Sequence, residues 1–170
     1  MHPTTGCKNN TDMQANAEPN PANNFLAAHA GLLISSFRRL TGRDLVCCEE
    51  PASDLPRALF EAPFAVLSHT TDADPVFNYA NQTAMQLFEM DWQTFTHLPS
   101  RHSAEPLARE ERARLLERVT CNGFVDDYRG VRISATGKRF LLEEATVWNL
   151  IDEDGIYCGQ AAALFRWSGL

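Results

Sequence analysis

The sequence predicts an α+β fold, antiparallel strands with helices collected on one side. Three observations predict it. Two short β-rich stretches, 64–72 and 76–81, flank a "DADP" turn; helical patterns occupy 81–122; and three strand-length runs follow at 124–135, 139–151 and 156–167.

The hairpin comes first. "FAVLSHTTD" has an apolar start and a β-branched end, and "VFNYAN" returns after the turn. That second strand runs directly into "NQTAMQLFEM". Asn81 resolves the crowding: it ends the strand and serves as helix N-cap, so no loop is needed. Ala84, Met85, Leu87 and Phe88 then form an apolar stripe, and Asp91 is placed to cap a further short helix through Trp92 and Phe95. After an irregular stretch at 97–106, "AEPLAREERARLLERVTCNG" predicts a longer helix. Glu105 with Arg109 and Glu110 with Arg114 are i,i+4 pairs, Gly123 is the stop, and Ala108, Leu115, Leu116 and Val119 face inward. The last three strands break at "TGK" (136–138) and "DEDG" (152–155), which makes an antiparallel meander.

Upstream, residues 1–22 are rich in Asn, Pro and Thr and too poor in large apolar groups to offset their ordering entropy, which predicts a disordered tail. Residues 23–59 read as an N-terminal amphipathic helix and a connector. Leu26, Ala30, Leu33, Phe37 and Leu40 alternate in spacings of four and three, and Gly42 can close the helix. Such a seam fits either a dimer contact or packing on the chain's own domain. The connector holds prolines at 51, 56 and 63, with Ser53 or Asp54 able to cap a brief helix near 56–61.

At 170 residues and 44% hydrophobic content, the chain has material for one core. Its net charge is −7, with 15 Lys and Arg scattered among 22 acidic residues, so no basic face is offered to nucleic acid or anionic lipid. The five cysteines lack C-x-x-C or zinc-site spacing and point to free thiols in a reducing, cytoplasmic setting. Neither a signal peptide nor a bilayer-length apolar run is apparent.

The element order, together with "FNYANQTAMQLFEMDWQTF", resembles the PAS fold. The later phrases "LPSRHSAEPLAREERARLL" and "GFVDDYRGVRISATGKRFLLEEATVWNLIDEDGIYCGQAA" are similar to the MEKHLA domain over residues 60–168. That PAS-related module occurs in bacterial proteins, whose stand-alone form this chain resembles, and at the C-terminus of plant class III homeodomain-leucine-zipper transcription factors. The resemblance implies a PAS-like five-stranded antiparallel sheet with helices on one face, used in sensing or regulation. Photosensory PAS relatives carry a flavin-reactive cysteine where this chain reads "NYANQTAMQLF", which argues against flavin photochemistry. Haem would need an axial ligand, and His97 and His102 near the loop before the long helix are more economically read as solvated.

Candidate site residues follow from strand periodicity. Tyr128, Gly130, Arg132 and Ser134 share one face, and Phe140, Leu142, Glu144, Thr146 and Trp148 share a face of the next strand. Tyr128, Arg132, Glu144, Trp148 and Gln160, with Asn78 and Phe88, are therefore expected to line a cavity between sheet and helices. The bland alternative is a dry core with an Arg132–Glu144 bridge. Arg101 and Arg109, with Glu105, mark a second candidate, an anion site beside the long helix, against a solvated charge network. The function these readings support is a non-catalytic sensor or regulatory module. Its expected partners are a second copy through the 24–41 helix, whose seam would dimerise, a small-molecule ligand, and a separate signalling protein. The alternatives are a small enzyme using His69, Cys121 or Glu144, and a ligand-free dimerisation domain.

Overall fold

The computed structural model describes residues 17–47 and 54–170. The expected disordered stretch as far as residue 16, and the cap candidate Ser53, lie outside these residues.

Five strands, β1 (Ala65–His69), β2 (Phe77–Ala80), β3 (Phe124–Ile133), β4 (Arg139–Ile151) and β5 (Tyr157–Gly169), form one antiparallel sheet in the order β2-β1-β5-β4-β3. The hairpin β1–β2 docks on β5, so the last strand in sequence lies at the sheet's centre. Helices α3 (Gln82–Phe88), α4 (Trp92–Phe95) and α5 (Arg109–Asn122) follow β2. Phe88, Phe95, Leu115 and Val119 from them join Leu67, Phe77, Phe140, Leu142 and Leu164 in the inner core. Helices α1 (Ala27–Thr41) and α2 (Leu55–Phe60) build a second core on the sheet's outer face.

The passage from β2 into α3 turns on Asn81, which is fully buried. Its Oδ1 accepts from the Ala84 N–H at 3.0 Å, capping the helix, and from the Val66 N–H at 2.9 Å. Its Nδ2 donates to the carbonyls of Leu59 at 3.1 Å and Phe64 at 2.8 Å. One amide thus ties together β1, α2, the segment before β1 and the start of α3.

Helix α1 begins later than its apolar spacing predicts. Asn20 caps a 3-10 turn, Pro21–Leu26, and Asn24, Phe25 and Leu26 all have left-handed φ near 52°. Left-handed backbone is costly for residues with a Cβ. Here the Phe25 ring sits 6.0 Å from Phe60 and its N–H reaches the Asn20 carbonyl at 2.9 Å. From Ala27 the helix runs regularly to the αL glycine cap at Gly42. Ala30, Leu33 and Phe37 are 0–2% exposed and pack on Trp148, Leu150 and Ala163; Leu26 and Leu40 lie partly buried beside them. The expected dimer seam is therefore used within the chain, because the sheet's outer face is itself apolar and lies next to it. Ser36 pins the arrangement: its Oγ donates to the Ile151 carbonyl at 3.0 Å and accepts from the Ile151 N–H at 2.9 Å.

Strand β4 departs from strict alternation. Register shifts between Leu142 and Ala145 insert a bulge near Glu144. Phe140 and Leu142 face the inner core before it, Ala145 and Val147 after it, and Trp148 faces outward under α1. A bulge moves every later side chain to the opposite face.

Gly159 has φ +128°, and a Cβ there would run into the His69 carbonyl oxygen, so this glycine lets β5 pass close to the end of β1. Cys47 and Cys121 are free and exposed, while Cys158 is disulfide-bonded, which departs from the expected free thiols throughout. No helix among the described residues is long and apolar enough to cross a membrane.

Candidate functional site

Between α5 and the sheet's inner face lies a cavity of about 60 Å³. Leu67, Phe77, Phe88, Leu115, Leu142 and Leu164 give it apolar walls, and His69, Ser103, Arg112, Tyr128, Arg132 and Gln160 give it polar borders. It is well below the roughly 300–1,000 Å³ of clefts that take drug-sized ligands. Leu115 and Tyr128 also border a wider depression of about 440 Å³ between α5 and β3.

Four of the seven residues expected at the cavity border it: Tyr128, Arg132, Gln160 and Phe88. Glu144 does not. It sits at the β4 bulge, exposed, paired across the sheet with Arg166, and Arg132 has no bridge to it. Trp148 is fully buried on the opposite face, its ring 5.0 Å from Phe37, because the bulge reverses β4 before reaching it. Asn78 also belongs to the outer side, where its Oδ1 accepts from Ser68 Oγ at 2.6 Å and His29 Nε2 meets the same hydroxyl at 2.9 Å.

Gln160 borders the cavity but its amide is engaged elsewhere. Nε2 lies 3.1 Å from the Leu116 carbonyl, Thr120 Oγ1 and Asn149 Oδ1, and Asn149 Nδ2 in turn donates to the Val119 carbonyl at 3.1 Å. Together they bind carbonyls of the last two turns of α5 to the sheet.

Arg101 and Arg109 do not form a shared anion site. Arg101 pairs with Asp74 at 3.3 Å, and Arg109 Nε donates to the Ala104 carbonyl at 3.4 Å. Glu105 pairs instead with Arg139, at 2.9 Å. His97 and His102 are exposed, as are Cys121 and Glu144.

The cation that sequence reasoning missed is Arg112. It joins Leu115 and Val119 as the buried residues of α5. A charge occupying the i−3 and i−7 positions of an apolar stripe was the available signal. Arg112 is 9% exposed and Arg132 7%, and buried arginines are ordinarily paired. Arg112 Nη2 donates to Ser100 Oγ at 2.8 Å; Arg132 Nη1 donates to the Val131 carbonyl at 2.8 Å and its guanidinium lies 5.1 Å from the Tyr128 ring centre. Among the described residues, neither guanidinium has a carboxylate within ion-pair distance.

The electrostatics reflect that arrangement. Burial, and then the charge of Arg132, lower the Arg112 pKa to about 10, against smaller opposing effects of Tyr128 and Asp74. His69 is 6% exposed. Burial holds its pKa below the ordinary histidine value, the Thr70 carbonyl opposes this, and the charge of Arg112 reinforces it. Its Nδ1 lies 2.9 Å from that carbonyl, so Nδ1 carries the proton, and Nε2 has no hydrogen-bond partner among the described residues.

The comparisons agree with this architecture. The model of the MEKHLA domain matches residues 27–169, so the match takes in α1 as well as the sheet. The chain is 25% identical over 141 residues to homeobox-leucine zipper protein ATHB-9 of Arabidopsis thaliana, covering 80% of this chain and 17% of that protein. It is 24% identical over 126 residues to homeobox-leucine zipper protein HOX29 of Oryza sativa subsp. indica, covering 72% and 15%. The chain thus spans about a sixth of the length of these curated relatives. Among solved structures, a PAS domain from Colwellia psychrerythraea aligns with TM-score 0.54 at 11% identity, over 67% of this chain and 92% of that one. A fungal LOV domain photoreceptor aligns with TM-score 0.54 at 17% identity, over 88% and 99%. The PAS domain of a LuxR-family transcriptional regulator from Burkholderia thailandensis, solved in complex with ethanol, aligns with TM-score 0.50 at 16% identity, over 67% and 95%. These likenesses place the fold with the PAS and LOV domains, and the sequence match fixes the family: the chain belongs to the MEKHLA domain family.

Proposed function

We propose that this chain is a non-catalytic regulatory module of the PAS type that binds a small molecule between α5 and the sheet. The observation that carries the reading is the cavity itself, on which two buried arginines converge with a buried histidine whose Nε2 has no hydrogen-bond partner among the described residues. Structural relatives include photoreceptors and a transcriptional regulator, and the PAS domain of the latter was solved with ethanol, a ligand of compatible size. The arrangement also favours binding over catalysis. Of the residues expected to serve an enzyme, His69 borders the cavity, whereas Cys121 and Glu144 are exposed and do not. His69 therefore has neither of those two groups beside it as the partner that acid–base or covalent catalysis needs.

Native mass spectrometry of the freshly purified full chain tests the reading, followed by amide NMR during titration with a set of small fragments. The expected result is a mass excess lost on denaturation, or shifts confined to residues around the cavity. A ligand-free mass, with no fragment perturbing those amides, would refute it.

A further inference from the structure

We infer that the cavity is built for a short-chain carboxylate, its anionic end held by Arg112 and Arg132 and its carbon chain lodged against Leu67, Phe88 and Leu142. The inference rests on the proposed small-molecule reading and names the ligand's chemical class.

Two facts about the polar border carry it. The first is charge with no carboxylate within ion-pair distance among the described residues. Two guanidiniums, from α5 and from β3, are about nine-tenths buried or more on one cavity; among the described residues each makes a single hydrogen bond, to a neutral oxygen, and Arg132 also lies against the Tyr128 ring. A guanidinium offers five N–H donors in a planar fork that matches a carboxylate. Burying such cations without an anion is unfavourable, and placing two on the same cavity adds repulsion. An anion between them would relieve both costs. The second fact is His69, on the same cavity, whose Nε2 is buried and has no hydrogen-bond partner among the described residues. With Nδ1–H donating to Thr70, Nε2 presents a lone pair, which a ligand hydroxyl can satisfy. The size of the cavity, about 60 Å³, restricts the ligand to a few heavy atoms, and its predominantly apolar walls disfavour a fully hydrated ion such as phosphate.

Lactate is the probe, with propionate, lactamide and inorganic phosphate as comparators, measured on the full chain by calorimetry and amide NMR. Lactate is expected to bind with shifts around the cavity, and lactamide to bind at least about tenfold more weakly, because charge-assisted hydrogen bonds are the stronger ones. Arg112→Gln and Arg132→Gln should each weaken lactate by at least about tenfold. Arg112→Met provides a readout that a merely structural arginine would not give. It should abolish lactate binding while leaving the melting temperature of the ligand-free protein unchanged or higher, since an uncompensated buried charge has been removed.

Equal binding of lactate and lactamide would overturn the inference and leave the small-molecule reading standing. So would binding of neutral fragments alone, phosphate competing as well as propionate, or a large drop in melting temperature for ligand-free Arg112→Met. Silence from every probe and every fragment would sink both.

Discussion

Replacing Asn81 with alanine removes four hydrogen bonds at one buried point, two accepted by Oδ1 and two donated by Nδ2. Each such bond contributes about 1 kcal/mol net, and a stranded buried partner costs about 1–3 kcal/mol. Loss of the α3 cap falls within the same sum, at about 0.5–2 kcal/mol. A destabilisation of about 4 kcal/mol results, which for a chain of this length lowers the melting temperature by roughly 8–16 °C. Asn81→Asp is the sharper perturbation, because aspartate is as good a helix cap as asparagine. It keeps an acceptor for Val66 and Ala84 but turns a second oxygen toward the carbonyls of Leu59 and Phe64. A carboxyl buried there has its pKa raised above the unfolded value near 3.9. The folded state then binds more protons than the unfolded, so this variant loses stability as pH rises from about 4 through the raised value. Urea unfolding at several pH values, with unchanged m-value, is the assay. If Asn81→Asp proved within about 1 kcal/mol of the parent at pH 7, the helix cap alone would explain Asn81, and the four-way tie would be wrong.

Leu33→Asp in α1, where Leu33 is fully buried against the sheet, should unfold the chain and not merely dissociate a dimer. A cost of about 4 kcal/mol or more is expected from an unpaired charge in a core, read by circular dichroism and sedimentation together; a folded monomer would contradict the packing of α1. A separate pH effect comes from His29, whose pKa burial lowers to about 4 where its ring stacks 5.4 Å from Tyr79. The folded state resists taking up that proton, so stability is full above about pH 6.5 and falls as pH drops from there toward 4, by about 2 kcal/mol after allowance for the ring's partial exposure. His69 acts in the same direction. Urea titrations of His29→Gln should show a flatter curve across that window, and an identical slope would assign the loss elsewhere.

Much of the fold was legible because its signals are local. The Asn81 cap, the Gly42 and Gly123 stops and the turns around Gly137 and Gly155 each follow from what one residue does to its own backbone, and all four glycines have positive φ. The site was only half legible. Tyr128 and Arg132 follow the alternation of β3 to the cavity, but counting by two along β4 placed Glu144 and Trp148 there, and the bulge intervenes. Arg112 was open to reading as a charge on an apolar stripe, yet it lay between Arg109 and Arg114, whose ion-pair spacing gave it the look of a solvated face.

By itself the sequence determined the order of elements, the Asn81 and Asp91 caps, the glycine turns, and the amphipathic seam of α1, since these depend on contacts within a few residues. Only the tertiary structure decided which apolar surface that seam covers, which face Trp148 occupies, and that two arginines distant in sequence share a cavity without an acid between them. The physical reason is that apolar matching is non-directional: a seam of Leu, Ala and Phe fits a second copy or its own sheet equally well. Geometry decides between them, here through Ser36 bonded to the end of β4 and a bulge that turns an indole toward α1.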